Sequence, residues 1–209
     1  MNKRDVILYS LGIFLSLGIA FFYFVPRTTE KFTPMPYEFL DESNSEQEVL
    51  GVQPEGTVKV PVLMYHNIAR VPSKGSANYR GLFVSPSMFA QQMKYLKDNG
   101  YKTLTPDEFF TILKSGKNPK QKSVLITFDD GSRGQYRYAY PVLKKYKMTA
   151  TFYIIADRSP IKTKELKEMA KNGMVINSHT STHRDLKRLK GDKNFKYELR
   201  DSKKKLEGI

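Results

Sequence analysis

The sequence predicts an α/β protein built on a parallel sheet and preceded by one membrane-crossing segment. From Val58 onward, short apolar runs alternate with stretches of helical periodicity, the pattern of repeated strand and helix units. SVLITF, residues 123–128, is an almost unbroken apolar run, as expected of a strand buried on both faces. Residues 6–25, VILYSLGIFLSLGIAFFYFV, carry no charge over a length that crosses a bilayer.

The elements follow in chain order. Residues 1–5 are expected to be cytoplasmic and 6–25 to form an uncleaved signal-anchor, because Lys3 and Arg4 precede the apolar run and Arg27 follows it. A cleavable signal peptide is the competing reading, but the run ends in Phe21, Phe22, Tyr23, Phe24 and Val25, where small residues would be expected. Residues 26–57 shift to Pro, Ser, Glu and Asp with little periodicity, which predicts an extracellular tether.

Residues 58–209 are then expected to form one extracellular domain. VPVLMYH, residues 60–66, reads as its first strand. Residues 86–99 read as a helix capped by Ser85, with Pro86 at the first helical position, Phe89, Met93 and Leu96 on one face, and Gly100 as the stop. Residues 101–104 form a strand, and TPDEFFTILKSG opens a helix with a capping box from Thr105 to Glu108 and closes it at Gly116. After the 123–128 strand come a helix over 136–146, a strand over 149–155, a helix over 164–172, a short strand over 174–177 and a final amphipathic helix over 193–207. That makes about five strand and helix units.

Composition narrows the chemistry. The chain of 209 residues has no cysteine, which excludes disulfides, thiolate catalysis and lipoprotein anchoring, so any metal must be held by His, Asp or Glu. Residues 1–57 contain 4 Lys/Arg against 8 Asp/Glu, leaving 31 against 13 and a net charge of +18 for residues 58–209. Such a surface suits a polyanion, whether nucleic acid, anionic lipid head groups or an anionic wall polymer; lysines that only aid solubility explain it equally. An extracellular domain without a recognised motif argues against nucleic acid.

The 123–128 strand ends in Asp129 and Asp130, followed at once by Gly131. Functional groups collect at the C-terminal ends of parallel strands, and consecutive side chains leaving a strand point to different sides. One aspartate can therefore hold a metal while the other takes a proton, whereas a helix N-cap accounts for only one of them. HTSTH, residues 179–183, places two imidazoles four apart, so that a single helical turn would aim both at one point. Two histidines and one aspartate make a set that leaves open positions on Zn²⁺ or a similar ion. His66, at the end of the first strand, would face the same crevice in a closed barrel; a buried histidine with a hydrogen-bond partner is its plainer reading.

These motifs carry a family resemblance. Residues 60–207 resemble the NodB-homology polysaccharide deacetylases (carbohydrate esterase family 4), and within them the extracellular poly-N-acetylglucosamine deacetylases. TFDDG at 127–131 is similar to the family's first motif and HTSTH to its second; PVLMYH, NGYKTLT and AYPVLKKY followed by ATFYII are similar as well. The resemblance implies a distorted (β/α) barrel and a metal-dependent hydrolase that removes N-acetyl groups from an extracellular N-acetylglucosamine-containing polysaccharide. It implies Asp129 as general base, Asp130, His179 and His183 as metal ligands, and His66 as the acid that protonates the departing amine. Zn²⁺ is the favoured ion, with Co²⁺ or Ni²⁺ suited to the same ligands.

The family's later motifs, an Arg or aromatic, Pro and Tyr element and a Leu- and Asp-containing segment, do not follow the 193–207 helix. The expectation is an incomplete, C-terminally truncated barrel with open sheet edges and exposed apolar surface. The alternative function is a weak or inactive pseudoenzyme that binds wall or matrix polymer.

Overall fold

The computed structural model describes residues 58–209. The expected N-terminus, signal-anchor and tether, residues 1–57, lie outside the described residues. Among those described, no helix is long and apolar enough to cross a membrane.

The chain runs β1 (Val62–Tyr65), β2 (Asn67–Ile68), α1 (Ala77–Gly81), β3 (Phe83–Val84), α2 (Pro86–Asp98), β4 (Lys102–Leu104), α3 (Pro106–Ser115) and β5 (Ser123–Phe128). A wide π-helical turn, Gln135–Ala139, then leads into α4 (Tyr140–Tyr146), β6 (Thr151–Ile154), α5 (Thr163–Lys171) and β7 (Val175–Ser178). After a 3-10 turn at Leu186–Arg188, α6 (Asp192–Phe195), a second π-turn (Lys196–Asp201) and α7 (Ser202–Glu207) complete the described chain.

Five parallel strands form the main sheet, with β5 at its centre. β1 pairs with residues 125–128 of β5, β4 with 123–125 and β6 with 127–128. Because β1 shares Leu125 with β4 and Thr127 and Phe128 with β6, β4 and β6 must follow one another along the opposite edge of β5. Thr149 marks their junction, its N–H donating to Thr103 Oγ1 at 2.9 Å. β7 pairs with β6, and β2 and β3 make a separate two-stranded ribbon.

The strands expected at 60–66, 101–104, 123–128, 149–155 and 174–177 are these five, mostly with shorter ends. The local signals act as anticipated. Ser85 Oγ accepts the Met88 N–H, the Thr105–Glu108 capping box closes in both directions, and Gly116 ends α3 in the left-handed region at φ 61°. Two expected helices are interrupted: 136–146 and 193–207 each contain a π-turn. For the first there is a cause in the sequence, since Pro141 has no N–H to continue the helical ladder. α1 and the β2–β3 ribbon carry no periodic signal and were not expected.

The two faces of the sheet differ. On one, Phe128 stacks on Phe152 with centroids 4.6 Å apart and meets Tyr65 at 5.3 Å and Phe89 of α2 at 5.7 Å. This aromatic cluster is the centre of the core, with Ile126, Met93 and Leu143 around it. Burial pushes the Tyr65 hydroxyl pKa up, and that hydroxyl donates to Gln92 Oε1 at 2.8 Å. On the opposite face, alternation along β1 puts Val62, Met64 and His66 on one side. Val62 and Met64 are 47% and 38% exposed.

Candidate metal centre and active site

Strand register assembles the site. Tyr65 pairs with Phe128, Phe128 with Phe152 and Phe152 with Ile176, so the next residues, His66, Asp129, Tyr153 and Asn177, form one row across β1, β5, β6 and β7. His66 Nε2 lies 3.7 Å from Asp129 Oδ2. Burial, with the Asp129 charge adding to it, raises the pKa of the Tyr153 hydroxyl, while neighbouring Asn177 opposes the rise. Burial also pushes the Asp129 carboxyl above its ordinary value; neighbouring Asp130 adds to the rise, while the imidazoles of His179 and His66 oppose it.

Asp130 leaves this row. Its φ of 74° and that of Gly131, 73°, turn the chain sharply, and a Cβ on Gly131 would come within 2.7 Å of Ser159 Oγ. Asp130 Oδ1 consequently faces His179 Nε2 and His183 Nε2, each at 3.7 Å. The two aspartates thus diverge as expected, one toward His66 and one toward the paired histidines.

One expectation is corrected. Residues 179–183 do not form a helical turn; they form a loop, with Thr180 and His183 at φ 67° and 61°. The cause is competing hydrogen bonding. Ser178 Oγ accepts the Thr180 N–H, Thr180 Oγ1 accepts the His183 N–H, and the backbone of residues 156–157 donates to the carbonyls of Thr180 and Ser181. The imidazoles still converge, with centroids 4.7 Å apart.

Asp130, His179 and His183 offer one ligand atom each within 4.8 Å of one another. An ion held at about 2.1 Å from three such donors sets them about 3.4 Å apart at tetrahedral angles, so small side-chain adjustments suffice. The donor set of one carboxylate and two imidazoles fits a divalent cation, and all three sit on the accessible side of the sheet.

Three further residues have no signal in a motif. Gln135, fully buried at the start of the first π-turn, donates through Nε2 to the carbonyl oxygens of both His66 and Asp129. Its Oε1 has no partner among the described residues. Ser132 Oγ donates to the same His66 carbonyl at 3.1 Å. Glu198, from the second π-turn, accepts the Thr182 N–H at 2.8 Å and the Thr182 hydroxyl. Burial alone would raise its pKa, but these bonds, the nearby Thr180 hydroxyl and the charge of Arg184 hold it below the ordinary value. Only the three-dimensional structure brings these side chains to the site.

A family model for polysaccharide deacetylase matches residues 116–209, a span that includes both motifs. The solved Streptococcus pyogenes deacetylase PplD, in complex with acetate, superposes with a TM-score of 0.61 at 36% identity, covering 72% of this chain and 70% of that one. The chain belongs to the polysaccharide deacetylase family. Similar members include YxkH of Bacillus subtilis, 43% identical over 157 residues, which are 73% of this chain and 53% of that protein. The poly-beta-1,6-N-acetyl-D-glucosamine N-deacetylase of Staphylococcus aureus is 44% identical over 118 residues, 52% of this chain and 39% of that enzyme. The chain thus spans about half the length, or less, of these two curated deacetylase relatives.

Proposed function

We propose that the chain works as a metal-dependent hydrolase that removes N-acetyl groups from an extracellular N-acetylglucosamine-containing polysaccharide. The observation that carries this reading is the placement of two sets of groups at one strand end: Asp130 with His179 and His183, beside Asp129 with His66. Similarity to a deacetylase that acts on poly-beta-1,6-N-acetyl-D-glucosamine supports that substrate class.

The residues divide the work. Asp130, His179 and His183 would hold the cation, with Zn²⁺ favoured and Co²⁺ or Ni²⁺ suited to the same donors. When bound, such an ion lowers the pKa of water and polarises an acetyl carbonyl. Asp129 takes the proton from the attacking water, and its elevated pKa suits a group that must accept one. Water oxygen bonds to the carbonyl carbon and the C–N bond breaks. His66 delivers a proton to the departing amine, leaving acetate and a free amino sugar. The 3.7 Å separation of His66 and Asp129 lets both address one scissile bond.

The proposed setting is a bacterial cell surface, with residues 6–25 as a single-pass anchor, 26–57 as tether and 58–209 as the extracellular domain. A second reading, a polymer-binding pseudoenzyme, draws on the net charge of +18 over residues 58–209. Acetate release from N-acetylglucosamine oligomers by the purified full chain, with and without added Zn²⁺, tests the main proposal. Zn²⁺-dependent release supports it; retention of polymer without release favours the second reading.

A further inference from the structure

The 179–183 loop holds its shape against local preference. Thr180 is β-branched, yet like His183 it has positive φ, a backbone region a β-branched residue enters only when its surroundings enforce it. The enforcing group lies outside both motifs. Glu198 is 1% exposed. Its Oε2 accepts the Thr182 N–H at 2.8 Å and its Oε1 accepts the Thr182 hydroxyl. The Glu198 carbonyl accepts the Ser181 N–H at 3.1 Å, and the neighbouring Tyr197 carbonyl accepts Ser181 Oγ at 2.7 Å. Two of the three residues between the histidines, Ser181 and Thr182, are therefore tied to residues 197–198.

The connection reaches a ligand directly. Thr182 directly precedes His183, and Thr180 Oγ1 accepts the His183 N–H at 2.9 Å, so the residue that Glu198 holds adjoins the ligand's own backbone. π-turns recur at functional sites, and the one at Lys196–Asp201 carries Glu198 inward. A buried carboxylate is costly unless its lone pairs are satisfied, and here the loop supplies the donors.

We propose that Glu198 is a positioning residue of the metal centre, its carboxylate fixing the 179–183 loop in the conformation that aims His179 Nε2 and His183 Nε2 at Asp130. The proposal rests on the metal-binding reading given above. Partners that orient ligands in this way typically contribute about ten- to a hundredfold in metal affinity.

The test is Zn²⁺ affinity of the full chain, measured by competition with a chromophoric chelator, alongside thermal unfolding of the metal-free protein. Glu198→Ala should bind Zn²⁺ about ten- to a hundredfold more weakly than wild type. Glu198→Gln keeps an acceptor for the Thr182 N–H and an amide N–H that the Thr182 hydroxyl can accept, and should stay within about threefold of wild type. Unchanged affinity in Glu198→Ala, even with a lower Tm, overturns the proposal, as does a Glu198→Gln protein as weak as the alanine variant. Should Glu198→Ala lose its cooperative unfolding transition, Thr182→Val decides: it deletes the hydroxyl bonded to Glu198 while preserving shape, and wild-type affinity there overturns the proposal. Wild-type protein that binds no Zn²⁺ overturns the metal reading itself and this proposal with it, a result distinct from loss confined to the variants.

Discussion

Gln135 holds Asp129 by its backbone: Nε2 donates to the Asp129 carbonyl oxygen at 2.5 Å, and the same nitrogen donates to the His66 carbonyl at 2.8 Å. A single buried amide thereby fixes the spacing of the two groups proposed to move protons. Gln135→Leu removes both bonds, taking this donor from the Asp129 carbonyl and leaving the His66 carbonyl with Ser132 Oγ, at a cost of about 1–3 kcal/mol. Turnover should fall by roughly tenfold to a hundredfold as the pair drifts. Urea unfolding and acetate release measure the two effects separately.

Asp129 and Asp130 should behave differently despite being adjacent. Asp129→Asn is expected to lower acetate release by about 10²- to 10⁴-fold, the range for a lost general base, while Zn²⁺ binding persists. Asp130→Asn, His179→Ala and His183→Ala should each lose Zn²⁺ binding, which chelator competition reads directly. Equal metal loss in Asp129→Asn would remove the division of labour.

Acid sensitivity should trace to Glu165. The Arg133 guanidinium binds its carboxylate at 2.5 and 2.8 Å, and with the Lys162 N–H holds its pKa down to about 2 from an ordinary 4.5. A carboxyl with a depressed folded pKa stabilises the protein above about pH 4.5 and loses that contribution as pH falls through about 2. Glu165→Gln should therefore flatten the denaturant midpoint between those pH values. Arg133 is nearly half exposed, so added salt should shrink the difference.

Phe128 is fully buried at the centre of the aromatic cluster. Phe128→Ala should cost about 3–5 kcal/mol, read from urea unfolding, because the rigid sheet cannot collapse into the vacated volume.

Gly134 leaves no room for a side chain, since a Cβ there would lie 2.1 Å from the Ile68 carbonyl oxygen. Gly134→Ala must push the turn off β2, at about 1–3 kcal/mol or more. Because Gln135 moves with it, acetate release should fall further than the stability loss explains.

Local physics made much of this molecule legible from its residues. Alternating apolar runs located the five main strands, and Ser85, Thr105 and Gly116 marked helix ends because caps act through neighbours in sequence. The pairing of Asp130 with His179 and His183 could be anticipated from residue chemistry and strand ends. The loop conformation of 179–183 could not, because it depends on Glu198, which arrives from a later turn, and on backbone donors at 156–157. Gln135 was equally silent: a lone glutamine in a helical stretch gives no hint that its amide reaches two other strands' ends. The short β2–β3 ribbon is two residues per strand, below the length at which alternation can register.

The end-to-end placement of β4 and β6 along one edge of β5 separates two jobs within a small sheet. The proposed chemistry lies at the upper seam, where β1, β5, β6 and β7 finish side by side, whereas β4 pairs with residues 123–125 at the other end of β5. That lower storey is open to redesign: a longer connection or a grafted helix there would leave the geometry of the proton and metal groups untouched.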